Sequence, residues 1–201
     1  MIRTDFNIGD ELKKWFEKSI IPFSIINFND DTTFDIVLEI FIYDYMRYYQ
    51  NAVNLIELNK IILRHELVGI FLYRISRNYF LKNNEEIAQL YSLLGRFISG
   101  FEIYYSADIG RSLKINHGLG TVIGARTVIG ENALIHQGVT FGERNGKRPV
   151  VKNNVTIYAG AKILGGIIIG NNVIVGANSV CINDVEDNKT VAGVPAKILN
   201  K

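Results

Sequence analysis

The chain has 201 residues, 48% of them apolar and 21% charged, with a formal net charge of +2 at pH 7. That length supports one sizeable domain, or one domain with a smaller companion, and a near-neutral balance without a long basic run excludes the electrostatic footprint of a nucleic-acid binder. No apolar stretch is long enough to cross a bilayer, and the opening MIRTDFNIGDELKKWF lacks a secretory signal pattern, so no membrane span and a cytoplasmic location are expected.

Composition shifts midway. Most of the aromatic residues and the only Trp fall in the first hundred positions, whereas the second hundred are rich in Gly, Val and Ile. This predicts a helical unit over 1–100 and a second unit over 101–201. In the first, DIVLEIFIYDYMRYY from Asp35 to Tyr49, the run from Lys60 to Phe80 and NNEEIAQLYSLLGRFISGF all carry apolar residues every three or four positions, with Gly100 as a helix stop. His65, inside the second run, reads as a solvated helix residue.

The second unit repeats with period six. Aliphatic markers open successive units at Ile103, Ile109 and Ile115, then at Ile123, Ile129, Ile135 and Phe141, then at Val151, Ile157, Ile163, Ile169, Val175 and Cys181. Four positions after most of them stands a small or aliphatic residue. A helix would show period 3.6 and an alternating strand period two, so a strict six requires a coiled path: a parallel β-helix of three short strands per turn. Cys181, the lone cysteine, occupies a marker position and is expected to be a buried apolar residue.

With three units per coil, the residue stacked above another lies three units later. Starting from His117, this predicts a column of His117, Gln137, Ala159 and Ala177, stepped by about 4.8 Å. A histidine heading a column of small side chains describes a narrow groove for a thin, extended ligand. The register breaks twice: two extra residues between Ile115 and Ile123, around INHGLGTVIG, and four between Phe141 and Val151. The second break holds GERNGKRP, which should project as a loop.

The stretch from Glu102 to Ile198 resembles the hexapeptide-repeat acyltransferases, and among them the serine acetyltransferase family. The segments INHGLGTVIGARTVIGENALIHQGVTFG, YAGAKILGGIIIG and VAGVPAKIL carry the likeness. It implies a left-handed β-helix, acetyl-CoA as cosubstrate and a homotrimer, or a dimer of trimers, with CoA lying between subunits against Ala159 and Ala177. It further implies His117 as the base and Glu102 as the acidic residue that orients it, where the family usually has Asp. Gln137 and Gly160 border the same groove, and Lys162 and Lys197 are candidates for the CoA phosphates.

Acyl transfer to an alcohol needs a base for the hydroxyl proton, which a neutral imidazole supplies near pH 7. It also needs donors for the developing oxyanion, for which backbone N–H groups of TFGERNG are candidates. His136 is expected as a second polar wall. Where the family has acidic residues for the serine ammonium, this chain has Asn51 and Asn116, and its Arg-His pair is replaced by Lys147 and Arg148 in a shorter loop. Amides suit hydroxyl groups. The expected acceptor is therefore a saccharide, such as a unit of a surface or capsular polysaccharide, with L-serine as the alternative and a non-catalytic scaffold as the rival of another class. A zinc site would need three clustered histidines; the repeats offer two, so no metal is expected.

Overall fold

The computed structural model describes residues 3–4, 31–49, 55–56, 60–61 and 63–199. A two-residue parallel pairing joins β1 (Arg3–Thr4) to β2 (Leu55–Ile56). Three helices follow the predicted runs: α1 (Asp31–Met46), α2 (His65–Leu81) and α3 (Glu85–Ser99). The run from Lys60 is not one helix, because Arg64 is extended and α2 opens only at His65. Asn84 caps α3 by accepting from the Ile87 N–H, and Gly100 ends it in the left-handed conformation (φ 73°), where a Cβ is costly. Among the described residues, no helix is long and apolar enough to cross a membrane.

From Glu102 the chain winds into a left-handed parallel β-helix of about four turns. One wall is built from β3 (Glu102–Ile103), β6 (Val122–Ile123), β9 (Thr140–Gly142), β12 (Lys162–Leu164) and β15 (Val180–Cys181). The second wall holds β4 (Asp108–Ile109), β7 (Val128–Ile129), β10 (Val150–Val151) and β13 (Ile168–Ile169). The third holds β5 (Lys114–Asn116), β8 (Leu134–His136), β11 (Thr156–Ile157), β14 (Ile174–Val175) and β16 (Thr190–Gly193), with β17 (Ala196–Ile198) antiparallel at its end.

All thirteen markers point inward and are buried, as are the small residues four places later, from Thr127 and Ala133 to Val173 and Ser179. The period of six is thus the condition for each wall to send one side chain to the axis. Asparagine suits the corners because it tolerates positive φ, and here it also pairs vertically: Asn132 donates to Asn154 (2.9 Å), Asn154 to Asn172 (3.1 Å) and Asn172 to Asn188 (2.8 Å). Cys181 is buried, and that burial pushes its thiol up to about 11.

The first coil has no preceding coil to pair with, so its backbone groups need other partners. The helices supply them. Arg74 of α2 donates to the carbonyls of Ile109 (2.5 Å) and Gly110 (2.7 Å), and grips Asp44 of α1 through two bonds of 2.9 and 3.1 Å. Asp44 in turn accepts from the Leu113 N–H at 2.7 Å. Tyr73 donates to the Ala107 carbonyl (2.9 Å) and Ser92 to that of Ile103 (3.0 Å). Asp44 is fully buried and Arg74 nearly so. Burial raises the Asp44 carboxyl against the opposing pull of Arg74, yet every contact it makes comes from a donor, which suits the carboxylate. The apolar cluster is continuous across this junction, from Phe41 and Phe71 to Ile109 and Leu113.

Arg74→Met should cost about 3 to 5 kcal/mol, since it strands a buried carboxylate and two strand carbonyls. Urea unfolding monitored by circular dichroism checks this. A loss below about 1 kcal/mol would mean that the pair does not anchor the helices.

Candidate active site

The break at INHGLGTVIG is a bulged corner. β5 ends at Asn116, and His117, Gly118 and Gly120 then all take positive φ (63°, 55° and 71°) before β6 resumes the coil. Gly118 is required here: a Cβ would come within 2.6 Å of the Phe101 ring and 3.0 Å of Ile115 Cγ2. The corner therefore tucks beneath Phe101 while His117 and Leu119 stand exposed above it. For His117 the left-handed backbone costs about 1 to 3 kcal/mol, so surrounding contacts must impose it.

Two side chains of the helical layer reach this corner, Tyr48 from the turn after α1 and His65 from the start of α2. The Tyr48 hydroxyl donates to the Ile115 carbonyl (2.7 Å) and accepts from the Ile115 N–H (2.8 Å), closing the open edge of β5. His65 Nε2 lies 3.1 Å from the His117 carbonyl. The expectation that His65 is merely solvated is thus corrected: although partly exposed, it touches the backbone of the candidate base. Helical periodicity alone gave no signal for this, because a polar residue at the start of a helix is ordinarily turned to water.

The stacking count holds from Gln137 onward and is corrected at its head. Ile135 pairs with Ile157 and Ile157 with Val175, which puts Gln137, Ala159 and Ala177 in one vertical file. The Gly138 N–H, however, donates to the Leu119 carbonyl as the Gly160 N–H does to that of Gln137, so Leu119 stacks on Gln137. The two extra residues leave His117 on the bulge beside the head of the file, next to Asn116, which pairs with His136. Gly160 lies at the adjacent corner with φ 74°, and a Cβ there would strike Asn178 Oδ1. Beyond Gln137 the side chains of this file are small. Among the described residues the buried Gln137 Oε1 atom has no hydrogen-bond partner, an acceptor left for an N–H group. Beside the file, His136 stacks on Tyr158 with ring centroids 5.0 Å apart. Burial, and then the neighbouring His117, lower its pKa, so His136 is neutral at pH 7 and presents one donor and one acceptor.

Other expected residues are engaged differently. The Glu102 carboxylate pairs with Arg96 Nη1 at 3.3 Å, and among the described residues no hydrogen bond joins it to the His117 ring. Lys162 Nζ is held by the Gly138 carbonyl (2.7 Å) and Thr140 Oγ1 (3.0 Å), which occupy it within the fold. Arg148 is likewise pinned, donating to the Ala125 carbonyl (2.8 Å) and pairing with Glu143 (3.1 Å). The predicted loop is a tight hairpin in which Arg144 and Lys147 exchange backbone bonds around Asn145 and Gly146. Lys147 and Lys197 are exposed. Asn51 lies outside the described residues. Among those residues, no three His, Cys, Asp or Glu side chains converge as metal ligands would.

Comparison with known proteins bears on the fold and the family. Residues 148–183 match the model of the bacterial transferase hexapeptide family (six repeats). The serine acetyltransferase of Staphylococcus xylosus is 43% identical over 137 residues, covering 66% of this chain and 63% of that protein. The serine acetyltransferase of Helicobacter pylori strain J99 is 42% identical over 137 residues, 66% of this chain and 80% of its own length. This chain therefore spans less than two thirds of the first relative and more of the second. A solved serine acetyltransferase in complex with CoA superposes with a TM-score of 0.75 at 30% identity, covering 84% of this chain and 73% of that one.

Tyr48→Phe removes one hydroxyl and leaves both Ile115 backbone groups without partners. The expected loss is about 1 to 3 kcal/mol, read as a lower urea midpoint, and the Ile115 amide should exchange hydrogen faster. Unchanged protection of that amide would show that Tyr48 does not close the strand edge.

Proposed function

Since this chain belongs to the serine acetyltransferase family of hexapeptide-repeat acyltransferases, we propose that it transfers an acetyl group from acetyl-CoA to a hydroxyl, with L-serine as acceptor and His117 as general base. The observation that carries this reading is the exposed imidazole on the bulge at the head of the file of Gln137, Ala159 and Ala177, one residue after Asn116, which pairs with His136. Acetyl-CoA supplies the acyl thioester. His117 takes the acceptor's hydroxyl proton, the acyl group passes to the freed oxygen, and the proton leaves with the departing thiol. Glu102 orients the imidazole once it exchanges Arg96 for His117. A single β-helix wall offers an extended ligand only one side, and a homotrimer supplies the other from a neighbouring copy.

The names of the relatives support L-serine over the saccharide expected from the sequence, which the comparisons do not support. One observation still favours the saccharide. Asn116, beside the base and in register with the neutral His136, is an uncharged amide where an ammonium would call for a carboxylate. At about 4 Å such a charge is worth up to about 4 kcal/mol at an effective dielectric near 20.

CoA release followed with a thiol reagent, with L-serine and with oligosaccharides as acceptors, separates the two. Serine should give the larger kcat/KM, and release with oligosaccharides alone would reverse the assignment. His117→Ala should lower kcat by about 10² to 10⁴-fold without changing Tm. Retained turnover would remove His117 as the base. Ala177→Trp should fill the groove and raise the KM for acetyl-CoA, whereas an unchanged KM would take Ala177 out of it.

A further inference from the structure

We infer that His65 is a positioning residue, holding the backbone of His117 in the one conformation that presents its imidazole. This rests on the reading of His117 as base. Two donors converge on the His117 carbonyl: the Leu119 N–H at 2.6 Å from within the corner, and His65 Nε2 at 3.1 Å from the helical layer. Together they fix the plane of the peptide that follows His117. That plane needs fixing because His117 sits at φ 63° between a regular strand and two glycines, Gly118 and Gly120, whose own backbones are permissive. Leu119 and Gly120 are tied to the next coil and to the end of α3 through Gly138 and Gly100, but among the described residues His65 is the one donor from outside the corner on the His117 carbonyl itself.

His65 is itself held firmly. It is the first residue of α2, its Nδ1 lies 3.7 Å from the Glu66 carboxylate, and α2 is locked to the first coil through Arg74 and Tyr73. Its ring thus transmits the position of the helical layer to the corner. Among the described residues His65 meets Glu66 and, of His117, the main chain, so on this geometry it acts through the backbone of His117 rather than on the reacting atoms. A small displacement of a catalytic group costs rate, up to about 10²-fold for 1 Å, while cosubstrate affinity is set along the groove. The signature of this role is a loss in kcat with KM for acetyl-CoA preserved.

The experiment compares His65→Ala, His65→Gln, His117→Ala and the double variant His65→Ala/His117→Ala. CoA release is measured with whichever of L-serine and oligosaccharide the wild type prefers, with Tm recorded for each variant. His65→Ala should lower kcat about 10-fold, with KM for acetyl-CoA within about twofold of wild type. Gln carries an amide N–H at nearly the same reach as Nε2, so His65→Gln should recover most of the rate. In the His117→Ala background, His65→Ala should cost nothing further, because a residue acting through His117 has nothing left to position. Wild-type kcat in His65→Ala, equal losses in the Ala and Gln variants, or a full additional loss in the double variant would each overturn the inference. Undiminished turnover in His117→Ala alone would instead overturn the reading of the base, leaving the two failures distinct.

Discussion

A parallel coil must begin somewhere, and its first turn exposes a row of backbone N–H and C=O groups that no earlier turn can pair. In this protein that edge is closed by side chains. Arg74, Asp44, Tyr48, Tyr73 and Ser92, drawn from all three helices, bond to the backbone of the first coil between Ile103 and Ile115. The most buried of these contacts is the pair of Asp44 and Arg74, which ties α1 to α2 and both to the strands. Burying two charges is favourable only when their remaining hydrogen-bonding capacity is filled. The strand edge fills it here, so the edge and the ion pair each satisfy what the other would leave open.

The candidate site lies where this cap meets the repeat. Further along the coil, apart from Arg126 and the hairpin at Arg144–Lys147, the positive-φ corners are occupied by asparagines and glycines that accept that conformation readily. Only in the first coil does a corner carry two extra residues, and there the chain is in reach of Tyr48 and His65. A catalytic side chain on a strained corner gains exposure and a defined direction, provided something else bears the strain. The β-helix supplies the file of Gln137, Ala159 and Ala177, and the helical layer supplies Tyr48 and His65 at the bulge beside it.

What the sequence made legible follows from what a repeat must do. Every marker faces the same axis, so the period of six, the buried positions and the file from Gln137 to Ala177 could all be read by counting, whereas the bulge put Leu119, not His117, directly on Gln137. The register breaks were visible for the same reason. The cap was not. Asp44 and Arg74 are polar residues on otherwise apolar helices, Tyr48 lies in the turn after α1, and their partners lie 30 to 69 positions away. Spacing could suggest Glu102 as a partner for His117 but could not show that Arg96, six positions before it, competes for the same carboxylate. Nor could residue types reveal that Lys162 and Arg148 spend their charge on carbonyls of the fold.

A crystal structure of the protein with bound CoA tests the central claim most directly. The thiol should lie within hydrogen-bond reach of the His117 ring, about 3 to 4 Å, with the pantetheine arm running past Gln137, Ala159 and Ala177 and an N–H group directed at Gln137 Oε1. A thiol bound away from His117, or a pantetheine arm on another face of the β-helix, would contradict the assignment of both the base and the groove.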